Sequence, residues 1–271
     1  MNDTLAAPAS LGMDAAAIAL HASAPELAGI DIEVVAETGS TNADLLARAA
    51  GLQRPVLRVA VHQTAGRGRA GRSWLSAPGA ALTFSLAWHF AGPLRELAGL
   101  PLAVGVALAD ALGALGVPVQ LKWPNDVLRD GAKLAGVLIE TQAAPAGGVW
   151  AVIGVGLNLL MPDEMEQRIG RSVAGAPWLA QMERNALMAQ LLGVLATNLG
   201  QFAQGGFAPF CARWNRLHAY QGLAVVIIDR DVTLHEGVAA GVDDGARLLL
   251  DTAGGRIAIV AGDVSLRVRE H

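Results

Sequence analysis

The 271-residue chain contains little cysteine, few aromatic residues and few charged residues. Its one cysteine, Cys211, excludes an internal disulfide and any zinc site built from several cysteines. The six histidines are scattered, and no two of them lie at the spacing of metal ligands. This cysteine usage is typical of a reducing compartment, so we expect a cytoplasmic protein.

The chain also has no basic residue before Arg48, and its net charge is −4. A start without basic residues lacks the flank of a secretory signal. An acidic chain argues against a nucleic-acid-binding surface, which is normally basic. Residues 100–121 are the one candidate membrane span, but they include Asp110 and Gln120, and we expect a buried core helix instead. The sequence therefore predicts neither a nucleic acid nor a membrane as a partner.

Hydrophobic residues, in contrast, make up 53% of the chain, which is enough for a large core. Continuous or alternating apolar segments predict strands, and apolar residues at helical spacing predict helices. The predicted strands are 32–36, 56–62, 82–88, 119–123, 136–141 and 150–158. The predicted helices are 14–20, 41–50 with Thr41 as its cap, 102–115 and 178–204.

After residue 214 the pattern changes to short strands at regular spacing, which is typical of a small all-β barrel. These strands are predicted at 223–228, 232–238, 247–250 and 257–260. We therefore divide the chain into an N-terminal extension with little rigid structure (1–30), a large domain (31–217) and a C-terminal β domain (218–271).

The most informative segment is GRGRAGR at residues 66–72, where three glycines and three arginines follow a predicted strand. Glycine lets the backbone approach a ligand closely, and arginine supplies planar donors suited to phosphate and carboxylate. The segment therefore predicts a flexible loop that closes over an anionic ligand. The alternative from the residues alone is a solvated, basic surface turn.

A second interpretation of this segment is a dinucleotide-binding loop, because Gly66, Gly68 and Gly71 match the G-x-G-x-x-G pattern of such loops. Such a loop opens a helix and is followed by an acidic residue about 20 positions later. Here the following segment, 73–79, cannot begin a regular helix, and the first acidic residue after the loop is Glu96. We therefore reject the interpretation of this segment as a dinucleotide-binding loop.

Polar side chains lie at the ends of otherwise apolar strands: Lys122, Asn125, Asp126, Lys133 and Asn158. Polar groups at the ends of buried strands are often ligand contacts. A single lysine of this kind is usually just solvated, but several in one chain favour a binding site over the surface turn.

Taken together, six segments in this order resemble the biotin protein ligases, from residue 31 to the end of the chain. They are Ser40-Thr41-Asn42, the run from Gln63 to Arg69, Arg72-x-Trp74, the run from Lys122 to Asp126, Lys133-Leu134-Ala135-Gly136 and Gly154-x-Gly156-x-Asn158. Residues 222–267 are similar to the C-terminal domain of that family.

The resemblance implies an α+β fold: a mixed β-sheet with helices, like the catalytic domain of class II aminoacyl-tRNA synthetases, followed by an SH3-like β-barrel. It implies an ATP-dependent ligase that uses Mg²⁺ and forms biotinyl-5′-AMP and pyrophosphate. The biotinyl group then passes to a lysine of a biotin carboxyl carrier protein, the partner subunit of acetyl-CoA carboxylase or a similar enzyme.

The resemblance also implies a role for each matching residue. The residues expected to bind biotin are Ser40, Thr41, Asn42, Gln63, Gly66, Arg67, Gly68, Arg69, Lys133 and Gly136. Those expected to bind ATP are Arg67, Arg69, Arg72, Trp74, Lys122, Asn125, Lys133 and Asn158. Catalysis is expected from Lys133, Arg69 and Asp126, and Asp126 or Asn158 is the candidate contact to magnesium. Residues 40–42 can also form a helix cap, which is compatible with biotin binding, and core packing is the alternative role of Trp74.

Three alternatives remain at this stage: a lipoate ligase, a transcriptional regulator and a biotin-binding module without catalysis. Some members of the family carry an N-terminal DNA-binding domain. About thirty residues precede the first predicted strand here and none is basic, so we expect an enzyme of the monofunctional type, without repressor function. The oligomeric state stays open, with a homodimer as one alternative.

Overall fold

The protein folds into two β-sheets with helices around them. The structure is a computed structural model, and it describes residues 12–22, 24, 27–161, 166–167, 173–229, 232–262 and 264–269. The strands of the large sheet are β1 (Asp31–Thr38), β2 (Val56–Gln63), β3 (Ala81–Phe90), β4 (Gln120–Lys122), β5 (Asp126–Arg129), β6 (Ala132–Ala143) and β7 (Val149–Asn158). Those of the small sheet are β8 (Ala224–Asp229), β9 (Val232–Val242), β10 (Leu248–Thr252), β11 (Gly255–Ile259) and β12 (Ser265–Val268). The helices are α1 (Ala15–His21), α2 (Thr41–Leu46), α3 (Leu100–Ala114), α4 (Pro177–Ala180), α5 (Arg184–Gly205) and α6 (Ala208–Leu217).

The large sheet is mixed, in the order β1-β2-β3-β7-β6-β5-β4. Only β1 and β2 run parallel, and the other neighbours are antiparallel. Gly154 of β7 lies opposite Ser85 on β3, and Gly156 lies opposite Gly136 on β6. Positions two residues apart on a strand face the same side of a sheet, so these glycines leave a stretch of that face without side chains.

The core helix α3 was predicted from composition and is confirmed, with eleven of its fifteen residues buried. It packs against α5 and the large sheet. The segments Leu94–Ala114 and Arg184–Gly205 are long and apolar enough to cross a membrane by length and composition, and more than half of each is buried inside the structure. Burial of this kind is what the core helix of a globular protein shows.

The short helix predicted at 14–20 is confirmed as α1. Asp14 accepts the backbone N–H of Ala17 and starts α1, whose Ile18 is fully buried. The backbone N–H of Asp14 in turn donates to Asn185 at the start of α5 (2.9 Å). One apolar side chain and one polar contact thus tie this helix to the core, and the division at residues 30 and 31 stays a prediction.

The beginning of α2 also differs from the prediction in its detail. Ser40, and not Thr41, is the cap, because its Oγ accepts the backbone N–H of Ala43 (3.4 Å). The helix ends at Leu46 instead of residue 50, and a short 3₁₀ turn follows at Ala49–Gly51. The Ser40 hydroxyl is therefore used at least in part by the helix itself.

Three elements were not predicted: β5, α6 and β12. β5 has four residues and β12 has four, too few for a periodic pattern to show. The predicted helix 178–204 is also divided into α4 and α5, because Glu183 accepts backbone N–H groups of Asn185 and Ala186 and begins a new helix. Local side-chain capping, not apolar spacing, sets this boundary.

The small sheet is antiparallel throughout, in the order β11-β10-β9-β8-β12. Among the described residues its outer strands, β11 and β12, do not pair, so no closed barrel is seen there. Apolar residues of the small sheet, such as Val225, Leu250 and Leu266, belong to the same buried cluster as the large sheet. The division at residues 217 and 218 stays a prediction.

Candidate active site

A pocket opens between the 66–74 loop and the face of the large sheet that carries the glycines. Its lining brings together most of the residues predicted to bind biotin: Ser40, Thr41, Asn42, Gln63, Arg67, Gly68, Arg69, Lys133 and Gly136. It also includes Phe84, Ser85, Val137, Leu138 and Val155, which no motif indicated. The fold thus joins segments that are more than a hundred residues apart in the chain, such as Ser40 and Gly156.

Hydrogen-bonding side chains form one side of this pocket. The Thr41 backbone N–H and hydroxyl lie 2.8 and 3.1 Å from Gln63 Oε1. Ser85 Oγ lies 2.7 Å from Thr41 Oγ1 and 2.6 Å from Asn42 Oδ1. Since Thr41, Asn42 and Ser85 are all buried, each of these polar atoms needs a partner, and the network supplies it.

Apolar contact dominates the other side, where the Trp74 indole lies against Gly156. A Cβ at Gly156 would overlap the indole, and one at Gly154 would overlap the Asn42 amide. The glycines are therefore required for the close approach of these two side chains. The indole Nε1 is buried and has no hydrogen-bond partner among the described residues. Trp74 is thus a wall of the pocket, and its predicted contact with adenine stays a prediction.

The 66–74 loop is folded back on itself over the pocket. Arg67 and Ser73 form a β-bridge, Gly68 N–H donates to Arg72 O (2.6 Å), and Trp74 N–H donates to the Gly66 carbonyl (2.9 Å). Between these contacts Ala70 and Gly71 have positive φ angles of 53° and 71°, which produce the reversal. The loop is therefore held mainly by its own backbone.

Each arginine of the loop contacts a different part of the fold. Arg67 donates to both oxygens of Glu140 on β6 (2.8 and 3.0 Å). Arg69 donates to Asn125 Oδ1 (3.1 Å) and to the carbonyl of Gly262, and Arg72 donates to Ser265 Oγ (3.2 Å). The arginines thus join the loop to the large sheet and to the small one.

The chain contains only two lysines, and both lie at this site. Lys133 Nζ is 2.5 Å from Asp126 Oδ1, and Lys122 Nζ is 3.9 Å from Asp126 Oδ2. The Lys133 ammonium also lies 5.6 Å from the centre of the Trp74 indole. β5 and β6 position this cluster, because their hairpin brings Lys133 back beside Asp126. The predicted proton transfer to Asp126 stays a prediction.

The two asparagines predicted to contact ATP use their amide groups to hold backbone. Asn125 Nδ2 donates to the Val137 carbonyl (2.7 Å) and Asn158 Nδ2 donates to the Lys133 carbonyl (3.3 Å). Asn125 lines the pocket, whereas Asn158 is buried beneath it. Asn158 therefore supports Lys133 from behind, and its contact with ATP stays a prediction.

A second cleft adjoins the pocket and carries an excess of positive charge. Its charged lining residues are Arg69, Arg72, Lys122, Asp126, Lys133 and Arg267. Arg267 comes from β12 of the small sheet, and no local pattern in the sequence indicated it. The pocket and the cleft share Gly68, Arg69, Trp74, Asn125 and Lys133, so they meet at the two cations Arg69 and Lys133.

Tyr220, the one tyrosine, lies beside the cleft, where Lys122 Nζ is 5.7 Å from its ring centre. Burial and, second, the negative charge of Asp126 raise the pKa of the Tyr220 phenol, so it stays neutral at physiological pH. The phenol therefore adds no negative charge beside the cleft.

The described residues do not fit a metal held by the protein itself. They contain no group of three or more histidine, cysteine, aspartate or glutamate side chains that would hold a metal ion. The Asp126 carboxylate, the predicted magnesium contact, is engaged by both lysines. The Asn158 amide, the other candidate, is buried behind Lys133.

Two residues of the site were missed although the sequence carries a signal for each. Ser85 is a fully buried hydroxyl in the middle of the apolar strand β3. A buried hydroxyl costs free energy unless it has a hydrogen-bond partner, so its presence in this strand indicates a polar contact. Glu140 is a carboxylate that directly follows the apolar run 134–139 inside β6, as Asn158 follows the apolar run 152–157 on β7.

Two family models match most of the chain. Residues 32–158 match the model of the Biotin/lipoate A/B protein ligase family, and residues 222–267 match that of the Biotin protein ligase C terminal domain. The chain is 35% identical over 253 residues to the bifunctional ligase/repressor BirA of Escherichia coli. The alignment covers 90% of this chain and 77% of that protein. It is also 38% identical over 244 residues to the biotin–[acetyl-CoA-carboxylase] ligase of Mycobacterium tuberculosis. This alignment covers 86% of this chain and 88% of that protein.

Among solved structures, the fold is similar to the biotin protein ligase from Aquifex aeolicus in complex with biotin and ATP. The two share 27% sequence identity and superpose with a TM-score of 0.74, over 88% of this chain and 99% of that one.

Proposed function

The chain belongs to the biotin/lipoate A/B protein ligase family, and we propose that it activates biotin as biotinyl-5′-AMP and transfers the biotinyl group to a lysine of a biotin carboxyl carrier protein. One observation supports this proposal in addition to the family membership: a pocket with a hydrogen-bonding side and an adjoining basic cleft meet at Lys133 and Arg69. A ligase of this kind must bring a carboxylate and a phosphate together, and these two cations stand where that would occur.

The pocket suits the bicyclic head of biotin. A cyclic urea offers N–H donors and a carbonyl acceptor, which match the hydroxyl of Thr41 and the amide of Gln63. Its thioether ring and alkyl chain need apolar contact, which Trp74 and Val155 supply. A lipoyl ring has no N–H or carbonyl to satisfy the buried polar side of the pocket, so the network favours biotin over lipoate.

The cleft suits the triphosphate of ATP, which is a substrate here. Arg69, Arg72, Lys122 and Arg267 contribute positive charge to it. Magnesium would arrive with the triphosphate, since it keeps several of its waters and needs few protein ligands.

In the first step, a carboxylate oxygen of biotin attacks the α-phosphorus of ATP, the bond from that phosphorus to the bridging oxygen breaks, and pyrophosphate leaves with the electron pair. Two anions approach each other, so the main barrier is charge repulsion and positioning. Lys133, fixed by Asp126 at 2.5 Å, and Arg69, fixed by Asn125, supply positive charge at the meeting point without having to reorganise.

In the second step, the lysine amine of the carrier attacks the acyl carbon of the mixed anhydride. The bond from that carbon to the AMP oxygen breaks, AMP leaves, and the amine loses a proton as the amide forms. We propose Asp126 as the acceptor of that proton, because it is a carboxylate that lines the cleft. No nucleophilic side chain of the chain itself is needed in either step.

The finer description of the fold belongs to the same proposal. We propose that residues 31–217 form a catalytic domain of the class II aminoacyl-tRNA synthetase type, and that residues 218–271 form an SH3-like domain. The mixed sheet and the antiparallel small sheet support this description. We also propose that the protein works in the cytoplasm, which the single cysteine supports.

The test is incubation of the full chain with labelled biotin, Mg·ATP and an apo carrier domain. We expect pyrophosphate release and label on the carrier, both dependent on ATP. Lipoate in place of biotin is the comparison, and lipoylation without biotinylation would contradict the substrate assignment. Tight binding of biotin without pyrophosphate release would contradict the proposed enzymatic activity and would indicate a biotin-binding module without catalysis.

A further inference from the structure

Five strands of the large sheet each place one residue in a row across the face that α2 covers. Residues directly opposite each other on neighbouring strands point to the same side of a sheet. From β1 through β2, β3 and β7 to β6, the row consists of Glu33, Arg58, Ser85, Gly154 and Leu138. Ser85, Gly154 and Leu138 line the pocket, whereas Glu33 and Arg58 lie beyond it and are charged. The helix α2 therefore lies over the polar side of the pocket and over this charged pair.

Arg58, whose side chain is only 20% exposed, is the one permanently charged residue of β2. Its Nε donates to Asp44 of α2 (2.8 Å) and its Nη1 donates to Glu33 of β1 (2.9 Å). Asp44 also accepts the hydroxyl of Thr38 (2.7 Å). Burial would raise the pKa of the Asp44 carboxyl, but the hydrogen bonds from Thr38 and Arg58 outweigh burial and lower it. Arg58 and Asp44 therefore form an ion pair at neutral pH.

The helix α2 depends on the sheet for its orientation. It has only six residues, which is too few for a helix to be stable by itself. Leu45 anchors it in an apolar cluster that includes Val56 and Trp150. Apolar contact is non-directional, whereas the charge-assisted hydrogen bond from Arg58 to Asp44 is directional. That bond can therefore fix the rotation of the helix about its own axis.

This rotation also decides where the Thr41 hydroxyl lies. Asp44 follows Thr41 by three residues, and residues at this spacing lie on the same face of a helix. That face meets the row twice: Asp44 contacts Arg58, and Thr41 Oγ1 lies 2.7 Å from Ser85 Oγ. Arg58 and Ser85 are directly opposite each other on β2 and β3. A rotation of α2 that broke the contact with Arg58 would therefore also displace Thr41 in the pocket.

We propose that Arg58 and Asp44 are positioning residues whose ion pair fixes the rotation of α2. Through this helix they direct the side chains of Thr41 and Asn42 into the pocket. Neither Arg58 nor Asp44 is among the residues that line the pocket, so they act through the helix and not on the ligand. The inference rests on the proposed function, because it takes biotin as the ligand. No motif in the sequence indicated either residue.

The test is the dissociation constant of biotin, measured by calorimetry on the full chain. The variants are Arg58→Met, Arg58→Lys, Asp44→Ala and the double variant Asp44→Ala/Arg58→Met. Pyrophosphate release gives KM for ATP and kcat at saturating biotin. Arg213→Met is the matched control, because the ion pair of Arg213 with Asp110 (2.7 Å) joins α6 to α3, two helices that contribute no residue to the pocket.

We expect Arg58→Met and Asp44→Ala each to raise the Kd of biotin about tenfold, roughly the effect of losing one hydrogen bond. KM for ATP and kcat at saturating biotin should change by less than about twofold. The double variant should bind biotin little more weakly than either single variant, because all three lose the same contact. Arg58→Lys keeps the charge but cannot make both forked contacts, so it should raise the Kd only about threefold. Arg213→Met should leave the Kd unchanged, even where it lowers the melting temperature.

The outcomes distinguish failure of this inference from failure of the proposed function. A wild-type chain that neither binds biotin nor releases pyrophosphate would contradict the function, and the inference with it. A normally active wild-type chain and an unchanged Kd in Arg58→Met and Asp44→Ala would overturn the inference alone. So would effects that multiply in the double variant, or a lower kcat and melting temperature at an unchanged Kd. Asp44→Ala introduces a strong helix former, so it provides the test if Arg58→Met does not fold.

Discussion

At the scale of single residues, Lys133 is the side chain on which the proposed chemistry depends most. It lies where the pocket and the cleft meet, its ammonium is held by Asp126, and its carbonyl is held by Asn158. A charge held in place in advance stabilises developing charge more than a mobile one does.

Removing that ammonium should therefore reduce the rate of the first step. We expect Lys133→Ala to slow pyrophosphate release by about 10²- to 10³-fold, the range found for loss of one preorganised donor. Arg54→Ala, which removes an exposed cation paired with Asp31, is the matched control and should retain wild-type activity. Turnover of Lys133→Ala within a few-fold of wild type would remove Lys133 from the catalytic residues.

His218 shows how a buried residue outside the chemistry responds to pH. Its ring is buried, its Nε2 has no partner among the described residues, and burial lowers its pKa in the folded chain despite a contact with Gln221. The unfolded chain, with an ordinary histidine pKa of about 6.5, therefore binds the proton more readily than the folded one. Protonation favours unfolding, so this contribution to stability is complete above about pH 6.5 and is lost as the pH falls below it.

We expect the free energy of unfolding in urea to decrease between pH 7.5 and pH 5.5, and part of that decrease to disappear in His218→Gln. His62→Gln, in which a more accessible histidine beside Glu37 is changed, serves as control. Identical pH profiles for wild type and His218→Gln would show that the buried ring is not responsible.

At the scale of elements, the 66–74 loop is held to its surroundings by few contacts, most of them from arginine side chains. Arg69 joins it both to the β4–β5 connection and to the segment before β12. A loop with its own internal hydrogen bonds and few anchors can open and close as a unit.

Arg69→Gly should therefore loosen the loop and let the adenylate escape. We predict increased labelling of a bystander protein, such as serum albumin, when the variant is given biotin and Mg·ATP. Arg256→Gly, which breaks an exposed ion pair in the β10–β11 hairpin, should behave like wild type. Equal retention of the adenylate by Arg69→Gly would argue against a closing loop.

Long elements other than the ten-residue helix α6 could be predicted from the sequence, while boundaries and the short strands β5 and β12 could not. β3, β7 and α3 each span ten or more residues, so their apolar patterns are clear. β5 and β12 have four residues each and exist because a neighbouring strand pairs with them. For β12 that neighbour is β8, which lies far earlier in the chain, so a window along the chain does not contain the contact.

At the scale of the whole molecule, the distribution of lysine matters for an enzyme that makes a lysine-reactive intermediate. The chain has two lysines among 271 residues, and both pair with Asp126 in the site. The rest of the surface therefore offers arginine but no lysine amine to biotinyl-AMP that leaves the pocket.

We accordingly expect the chain to acquire little covalent biotin when it is incubated with biotin and Mg·ATP without a carrier. Ser73→Lys, which places an amine on the exposed part of the loop beside the cleft, should become labelled. Arg54→Lys, before β2 and at the opposite end of that strand from the loop, is the control. Intact mass spectrometry measures the label, and equal labelling of the two variants would contradict the argument.

The sequence by itself determined the type of each large element except α6, the segments that form the site and, through their resemblance to a known family, the chemistry. These depend on local periodicity and on residue types at fixed short spacings. Only the tertiary structure decided that Ser85 and Glu140 complete the pocket, that Arg267 reaches the cleft from the small sheet, and that α1 belongs to the core. Each of these depends on strands and helices that meet from distant parts of the chain, and such contacts leave no periodic mark on the residues that make them.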